Sequence, residues 1–188
     1  MKQFNIEIEG VTPYMQHRMD DQKLENWEKN RKLIIERDDV AKEDQVRAEF
    51  HSYNDKDGFY MPAEHLVGAF INGGAMVKSK VGNGKKSMKN IVAGMFSIKE
   101  SKIRLPKEYT IDKRSAVNRN IKARVICIRP KWEEWTATFT LCVDNDTITK
   151  ETVEQIITYS GQYIGIGSFN PIHNGMFGRF KLNKISQL

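Results

Sequence analysis

The sequence predicts an α+β fold: an antiparallel sheet threaded in the order β-α-β-β-α-β, with a charged helical insertion over residues 20–57. Three observations predict it. Residues 2–10 alternate apolar and polar with the period of a strand. Residues 63–77 and 149–159 repeat apolar positions at helical spacing. Residues 20–57 are dense in mixed charge, unlike the chain on either side. A chain of 188 residues fits one domain, 1–188, carrying such an insertion.

In the first strand Phe4, Ile6 and Ile8 oppose Asn5, Glu7 and Glu9, so one face is buried. Gly10 ends it and Thr12-Pro13 opens a turn. In the insertion, Leu24, Trp27, Leu33, Ile34, Val40, Val46 and Phe50 fit two amphipathic helices broken near Asp38-Asp39. Asn54 to Gly58 is a turn; its glycine falls too early for a calcium loop. Phe59-Tyr60-Met61 is extended, and Pro62 starts a helix over Ala63–Val77 with Leu66, Ala69 and Phe70 inward.

Residues 78–89 hold five lysines and two glycines, which predicts a flexible cationic loop without the phosphate-loop spacing of glycine and lysine. A helical turn at Ile91–Met95 and short strands at 96–98 and 103–105 follow. Residues 106–120 read as irregular, basic and polar. Residues 121–129 alternate, with Ile121, Ala123, Val125, Cys127 and Arg129 on one face. Pro130–Trp135 is expected to turn the chain so that Thr136–Val143 returns as the second strand of a hairpin. Thr149 can cap a helix through Tyr159, with Glu151 in its first turn and Val153, Ile156 and Ile157 inward. Five glycines then fall between Gly161 and Phe180, with Gly161 as helix cap and a last strand from Met176 to Ile185. Without the insertion this order is the ferredoxin-like or RRM-like pattern.

The net charge of +6 is unevenly placed. Residues 1–57 have 14 acidic and 10 basic side chains, whereas residues 78–131 have 16 basic and 3 acidic, a net of +13. Such a segment attracts polyanions by counterion release. The expected phosphate contacts are Lys78, Lys80, Lys85, Lys86, Lys89, Lys113, Arg114, Arg119, Lys122 and Arg124. Exposed aromatics such as Tyr109, Trp132 or Trp135 could stack bases.

No run reaches the roughly 18 apolar residues of a membrane span, and the N-terminus lacks a signal-peptide stretch. A soluble, cytoplasmic protein with no membrane partner is expected. Cys127 and Cys142 lie in apolar runs and read as buried free thiols; no Cys/His spacing offers a zinc site, so neither metal nor cofactor is expected. Of the four histidines, His17 and His173 are the best placed for acid–base work, but no nucleophile motif or paired carboxylates accompany them.

Three features together resemble the RAMP superfamily of CRISPR-associated proteins, most closely its Cas7-like backbone subunits. Tyr60-Met61-Pro62-Ala63-Glu64-His65-Leu66-Val67-Gly68-Ala69-Phe70 resembles the family's entry into its first helix. Gly165-x-Gly167 followed by Gly175-x-x-Gly178-Arg179-Phe180 is similar to its glycine-rich loop. The order of elements is the third feature. Glu64-His65 stand where the family prefers small hydroxyl residues, and Phe70 where it prefers a basic one. The chain is short enough to be a stand-alone version such as a virus could carry. The resemblance implies binding of single-stranded nucleic acid along a basic surface, often in a repeating filament. With no catalytic motif beside the histidines, the expectation is a non-catalytic, homo-oligomeric protein that binds RNA rather than DNA. The loop residues Gly165, Gly167, Asn170, His173, Gly175, Gly178 and Arg179 include a single cation among the lysines and arginines, so close backbone packing or a subunit contact suits them better than phosphate. Two alternatives are a viral anti-defence protein that sequesters a nucleotide signal or blocks a host complex, and a metal-independent endoribonuclease using His173 or His17.

Overall fold

A computed structural model describes residues 1–18, 40–81, 84–118 and 123–188. Along the chain run β1 (Lys2–Gly10), β2 (Tyr14–Met15), α1 (Val40–Phe50), β3 (Asn54–Asp55), β4 (Gly58–Pro62), α2 (Ala63–Gly74), β5 (Lys78–Val81) and β6 (Gly84–Ser87). Then come α3 (Lys89–Met95), β7 (Phe96–Ile98), β8 (Lys102–Arg104), β9 (Thr110–Asn118), β10 (Ala123–Trp132), β11 (Thr136–Val143), α4 (Lys150–Tyr159) and β12 (Phe180–Gln187). The fold is α+β with antiparallel sheets.

The alternation of residues 2–10 places β1 at the middle of the main sheet, whose order is β12-β1-β11-β7. Every pairing in it is antiparallel, and β12 shifts register against β1 between Glu7 and Ile8. Phe4, Ile6 and Ile8 are fully buried with Phe139 and Leu141 of β11, Leu66 and Phe70 of α2, and Val153, Ile156 and Ile157 of α4. Each such side chain contributes about 1.5–3 kcal/mol by leaving water. α4 starts where expected: the Thr149 side chain accepts a hydrogen bond from the Thr152 amide. The opposite sheet face carries Asn5, Glu7, Glu9, Thr136 and Thr138, with no aromatic among the described residues.

Several expectations are corrected. β10 and β11 do not form a hairpin: β10 pairs with β9 and β2, while β11 joins β1 and β7. The Pro130–Trp135 segment carries the chain from one sheet to the other. Two tryptophans anchor that passage, Trp132 donating to the Pro106 carbonyl at 2.9 Å and Trp135 to the Thr12 carbonyl at 3.0 Å. Residues 110–118 are strand β9, because pairing with β10 satisfies a backbone whose side chains are largely polar. Residues 78–81 and 84–87 pair as two antiparallel strands, β5 with β6, in place of an irregular loop. α2 stops at Gly74, three residues short of Val77. Gly161 does not end α4: the chain continues through a π-turn at Ser160–Ile164 and reverses at Gly165, where φ is +68°. The last strand begins at Phe180, and Met176 precedes it. The second insertion helix is α1; the first lies outside the described residues.

Among the described residues no helix is long and apolar enough to cross a membrane. Cys142 is a buried free thiol, whereas Cys127 is half-buried.

Candidate functional site: a histidine–arginine cleft beside the glycine loop

The glycine loop is held by its own backbone. Ile166 N donates to the Gly178 carbonyl at 2.9 Å, Ser168 N to Met15 at 2.8 Å, and Gly178 N to Pro13 at 2.8 Å. Gly165, at φ +68°, Gly167 and Gly178 all require glycine. Gly167 has φ +74° with Met15 and Tyr14 in the place of a Cβ, and Gly178 has φ +70° with the Ile166 carbonyl there. Pinned between them, Phe169 takes φ 55°, a conformation that costs a bulky residue about 1–3 kcal/mol.

The Phe169 ring lies under two guanidinium groups, Arg129 at 4.6 Å and Arg114 at 5.4 Å. The two arginines differ in their partners. Arg114 forks onto Asp112, with its Nε 2.6 Å from Oδ2, and this pairing raises its pKa further. Arg129 is 5% exposed, and no ion pair joins it to a carboxylate among the described residues. Its Nε donates to His17 Nδ1 at 3.0 Å, while Nη1 is enclosed without a hydrogen-bond partner. Burial holds Arg129 below the usual arginine range, against the pull of Cys127 and Asp112.

Arg129 borders a cleft of about 810 Å³ with His17, His65, His173, Glu64 and the backbone from Ile164 to Asn170. Burial, then the Arg129 charge, pushes His17 down to about 4, so it is neutral at neutral pH. His17 stacks on His51 with ring centres 4.5 Å apart, and His51 is also lowered by burial. His65 Nδ1 lies 3.0 Å from the Tyr14 hydroxyl, and burial again lowers its pKa although Glu64 opposes the shift. His173 Nδ1 meets Asn170 Oδ1 at 2.8 Å. The cleft therefore offers one buried cation without an ion pair among the described residues and several imidazoles, at least two of them neutral. Anion binding is the chemistry this arrangement can perform. Among the described residues no cluster of three or more His, Cys, Asp or Glu could hold a metal.

Of the residues expected from the sequence, Gly165, Gly167, Asn170 and His173 line the cleft. Gly175 and Gly178 fix the loop's closure, and Arg179 points outward, its amide donating to Thr12 Oγ1 at 2.9 Å. Lys78, Lys86 and Lys89 are exposed, on or beside the β5–β6 pair; the backbone places Lys80 and Lys85 opposite one another in it. On β9, Lys113 is ion-paired to Asp44 at 2.7 Å, and Arg124 is exposed on β10. Arg119 and Lys122 lie outside the described residues. None of the described lysines among these borders the cleft.

The expectation of stacking aromatics is corrected: Trp132 and Trp135 are 1% and 2% exposed and belong to the core. Tyr109 is half-buried against Phe59 and Trp132 and donates to Glu49 at 3.1 Å. Sequence reasoning missed Arg129, Glu64 and His65 as cleft residues. For Arg129 a signal existed, since it is the charged member of an otherwise apolar strand face.

No protein-family model matches this chain, and no curated protein is significantly similar to it.

Proposed function

We propose that the protein binds single-stranded nucleic acid, RNA in preference to DNA, as a Cas7-like member of the RAMP superfamily that assembles into a homo-oligomeric filament. The observation that carries nucleic-acid binding is Arg129, a buried guanidinium on the wall of an open cleft that makes no ion pair with a carboxylate among the described residues. A buried, uncompensated charge is costly to a fold, and an anionic ligand compensates it. The net charge of +13 over residues 78–131 supports the same reading, with the β5–β6 lysines meeting phosphates away from the cleft. The strand order β12-β1-β11-β7, with α2 and α4 in the two crossovers, supports a ferredoxin-like single domain. The open face of the sheet, where Glu7 and Glu9 lie opposite Lys184 and Lys181 and no described residue is aromatic, favours binding at the cleft over base stacking on the sheet, as RRM domains practise it.

Fluorescence anisotropy with a labelled single-stranded RNA tests the reading. Affinity should fall steeply with salt, and the logarithmic salt slope should shrink by about 3 when Lys78, Lys80, Lys85, Lys86 and Lys89 are all changed to Gln. Salt-independent binding, or none, overturns it. The mass of the purified protein in solution tests the filament.

A second reading, metal-independent RNA cleavage, is favoured by one observation: His17 and His173 both border the cleft. Because Arg129 occupies His17 Nδ1, the neutral ring carries its proton on Nε2 and cannot serve as the base there. His173 donates from Nδ1 to Asn170 and keeps Nε2 as an acceptor, so it is the candidate base. RNA cleavage lost in His173→Gln with binding retained supports this reading; no cleavage by the parent protein removes it.

A further inference from the structure

Behind His65 on the cleft wall lies a second hydrogen-bonded system, and the sequence motifs do not mark it. Gln16 is fully buried. Its Oε1 accepts from the Tyr53 amide at 2.7 Å, and its Nε2 donates to the Tyr60 carbonyl at 2.7 Å. A backbone donor on one side and a backbone acceptor on the other fix the orientation of the amide. Nε2 also donates to the Tyr14 hydroxyl at 3.3 Å. Tyr14 is itself fully buried, so its own hydroxyl proton goes to its other neighbour, His65 Nδ1, at 3.0 Å. A neutral imidazole that accepts at Nδ1 carries its proton on Nε2. His65 is thereby held as an Nε2–H donor, and among the described residues Nε2 has no partner.

His17 is held in the same form by different means. Arg129 donates to its Nδ1, and a guanidinium N–H can only donate. The buried cation thus acts through His17, polarising its Nε2–H in the direction of an acceptor. Two segments far apart in sequence place two imidazoles with the same tautomer on one cleft.

We propose that the cleft is a phosphodiester subsite in which His17 and His65 donate through Nε2 to the non-bridging oxygens, with Tyr14 and Gln16 as positioning residues that lock His65 in the donating form. This rests on the nucleic-acid reading above and narrows its ligand. The charge count favours an internal linkage over a terminal phosphate. Arg129 supplies one positive charge, Arg114 is neutralised by Asp112, both imidazoles are neutral, and Glu64 on the rim repels excess negative charge. A phosphodiester carries one negative charge, whereas a terminal phosphate carries close to two at neutral pH. Neutral donors also accept a monoanion without the protonation that a dianion would favour.

The test uses the full chain, labelled with ¹⁵N-histidine, and a fluorescent single-stranded RNA of about a dozen nucleotides. The ¹⁵N shifts of His65 should report Nε2–H in the parent protein and a tautomer mixture in Tyr14→Phe. RNA affinity should fall about tenfold in Tyr14→Phe and in His65→Ala, the loss of one hydrogen bond to a charged group. His65→Gln keeps a donor near the Nε2 position. It should bind within about threefold of the parent, and adding Tyr14→Phe to it should have little further effect. Unlabelled UpU should displace the RNA at concentrations where uridine 5′-monophosphate does not. If the RNA does not bind the parent protein, both the nucleic-acid reading and the subsite are overturned. If the RNA binds but Tyr14→Phe changes neither tautomer nor affinity, or the monophosphate competes better than UpU, the subsite alone is overturned. Should Tyr14→Phe fail to fold, His65→Gln against His65→Ala decides: equal losses in the two overturn the donor role.

Discussion

Replacing Arg129 with Met should make the protein bind worse and fold better. Arg129 is 5% exposed, with Nη1 enclosed and unpartnered. An unsatisfied buried donor costs about 1–3 kcal/mol, and an uncompensated buried charge costs several more. Against this stand its hydrogen bond to His17 at 3.0 Å and its stacking on Phe169 at 4.6 Å. Together these contribute about 3–4 kcal/mol. Methionine keeps the apolar stem and fills the space without the charge. The balance favours the variant by about 1–2 kcal/mol, which for a chain of this size raises Tm by roughly 2–8 °C. Loss of the cation should weaken binding of single-stranded RNA by about tenfold to a hundredfold. The His17 pKa should rise from about 4 in Arg129→Met while staying below its ordinary value, because burial is the larger cause of its depression. Thermal melting by circular dichroism, anisotropy with RNA and an NMR titration in one buffer read all three. A Tm several degrees lower with affinity unchanged would refute the reasoning, since Arg129 would then be a structural group.

Acid should destabilise the fold before its carboxylates titrate. His17, His51 and His65 all have pKa values lowered by burial, so the unfolded chain takes up protons that the folded chain refuses. Their contribution is complete above pH 6.5 and is lost as pH falls from 6.5 towards about 4, the folded value of His17. His17 accounts for about 1–2 kcal/mol of that loss after solvent screening; equal urea midpoints at about pH 7.5 and about pH 5 would contradict it. Gly94→Ala should stabilise α3 by about 0.5–1 kcal/mol, as no atom lies within 4 Å of the new Cβ. Gly178→Ala should destabilise by more than about 2 kcal/mol, since φ is +70° and the Ile166 carbonyl fills the site; denaturant melts that move the same way in both variants would refute the distinction. Thr149→Ala should cost about 1 kcal/mol in the same assay, through the 3.3 Å bond its Oγ1 accepts from Thr152 N.

The frame was legible because its signals are local. Alternation at Phe4, Ile6 and Ile8 and the cap at Thr149 each depend on a few neighbouring residues. β9 was not legible. Its outward residues are polar, and Asp112, buried at 7% exposure, is satisfied by Arg114 two residues along the same strand. A strand stabilised by its partner's backbone and an internal ion pair has no apolar alternation to read. The false hairpin has a related cause. β10 and β11 both alternate and are joined by a short segment, and pattern alone cannot tell a turn within one sheet from a passage between two. Trp132 and Trp135 mark the passage: both are buried, and their indole N–H groups are tied to the Pro106 and Thr12 carbonyls.

The cleft was legible in pieces and not as a site. His17, His65, Arg129 and the glycine loop come from four stretches of chain that meet at the cleft, His65 from α2 and Arg129 from β10. What marks the place physically is the coincidence of two costs. Phe169 holds a backbone conformation that a phenylalanine avoids, and Arg129 holds a buried charge that forms no ion pair with a carboxylate among the described residues. Each cost alone could be an accident of packing. They are coupled, because the strained backbone presents the Phe169 ring to the guanidinium at 4.6 Å, and the guanidinium in turn fixes the tautomer of His17. A loop that served only as close-packed backbone would need neither feature. The glycines therefore have a consequence beyond compactness: their turns set the backbone from which Phe169 packs on a buried cation, behind a neutral donor at the edge of an open cleft.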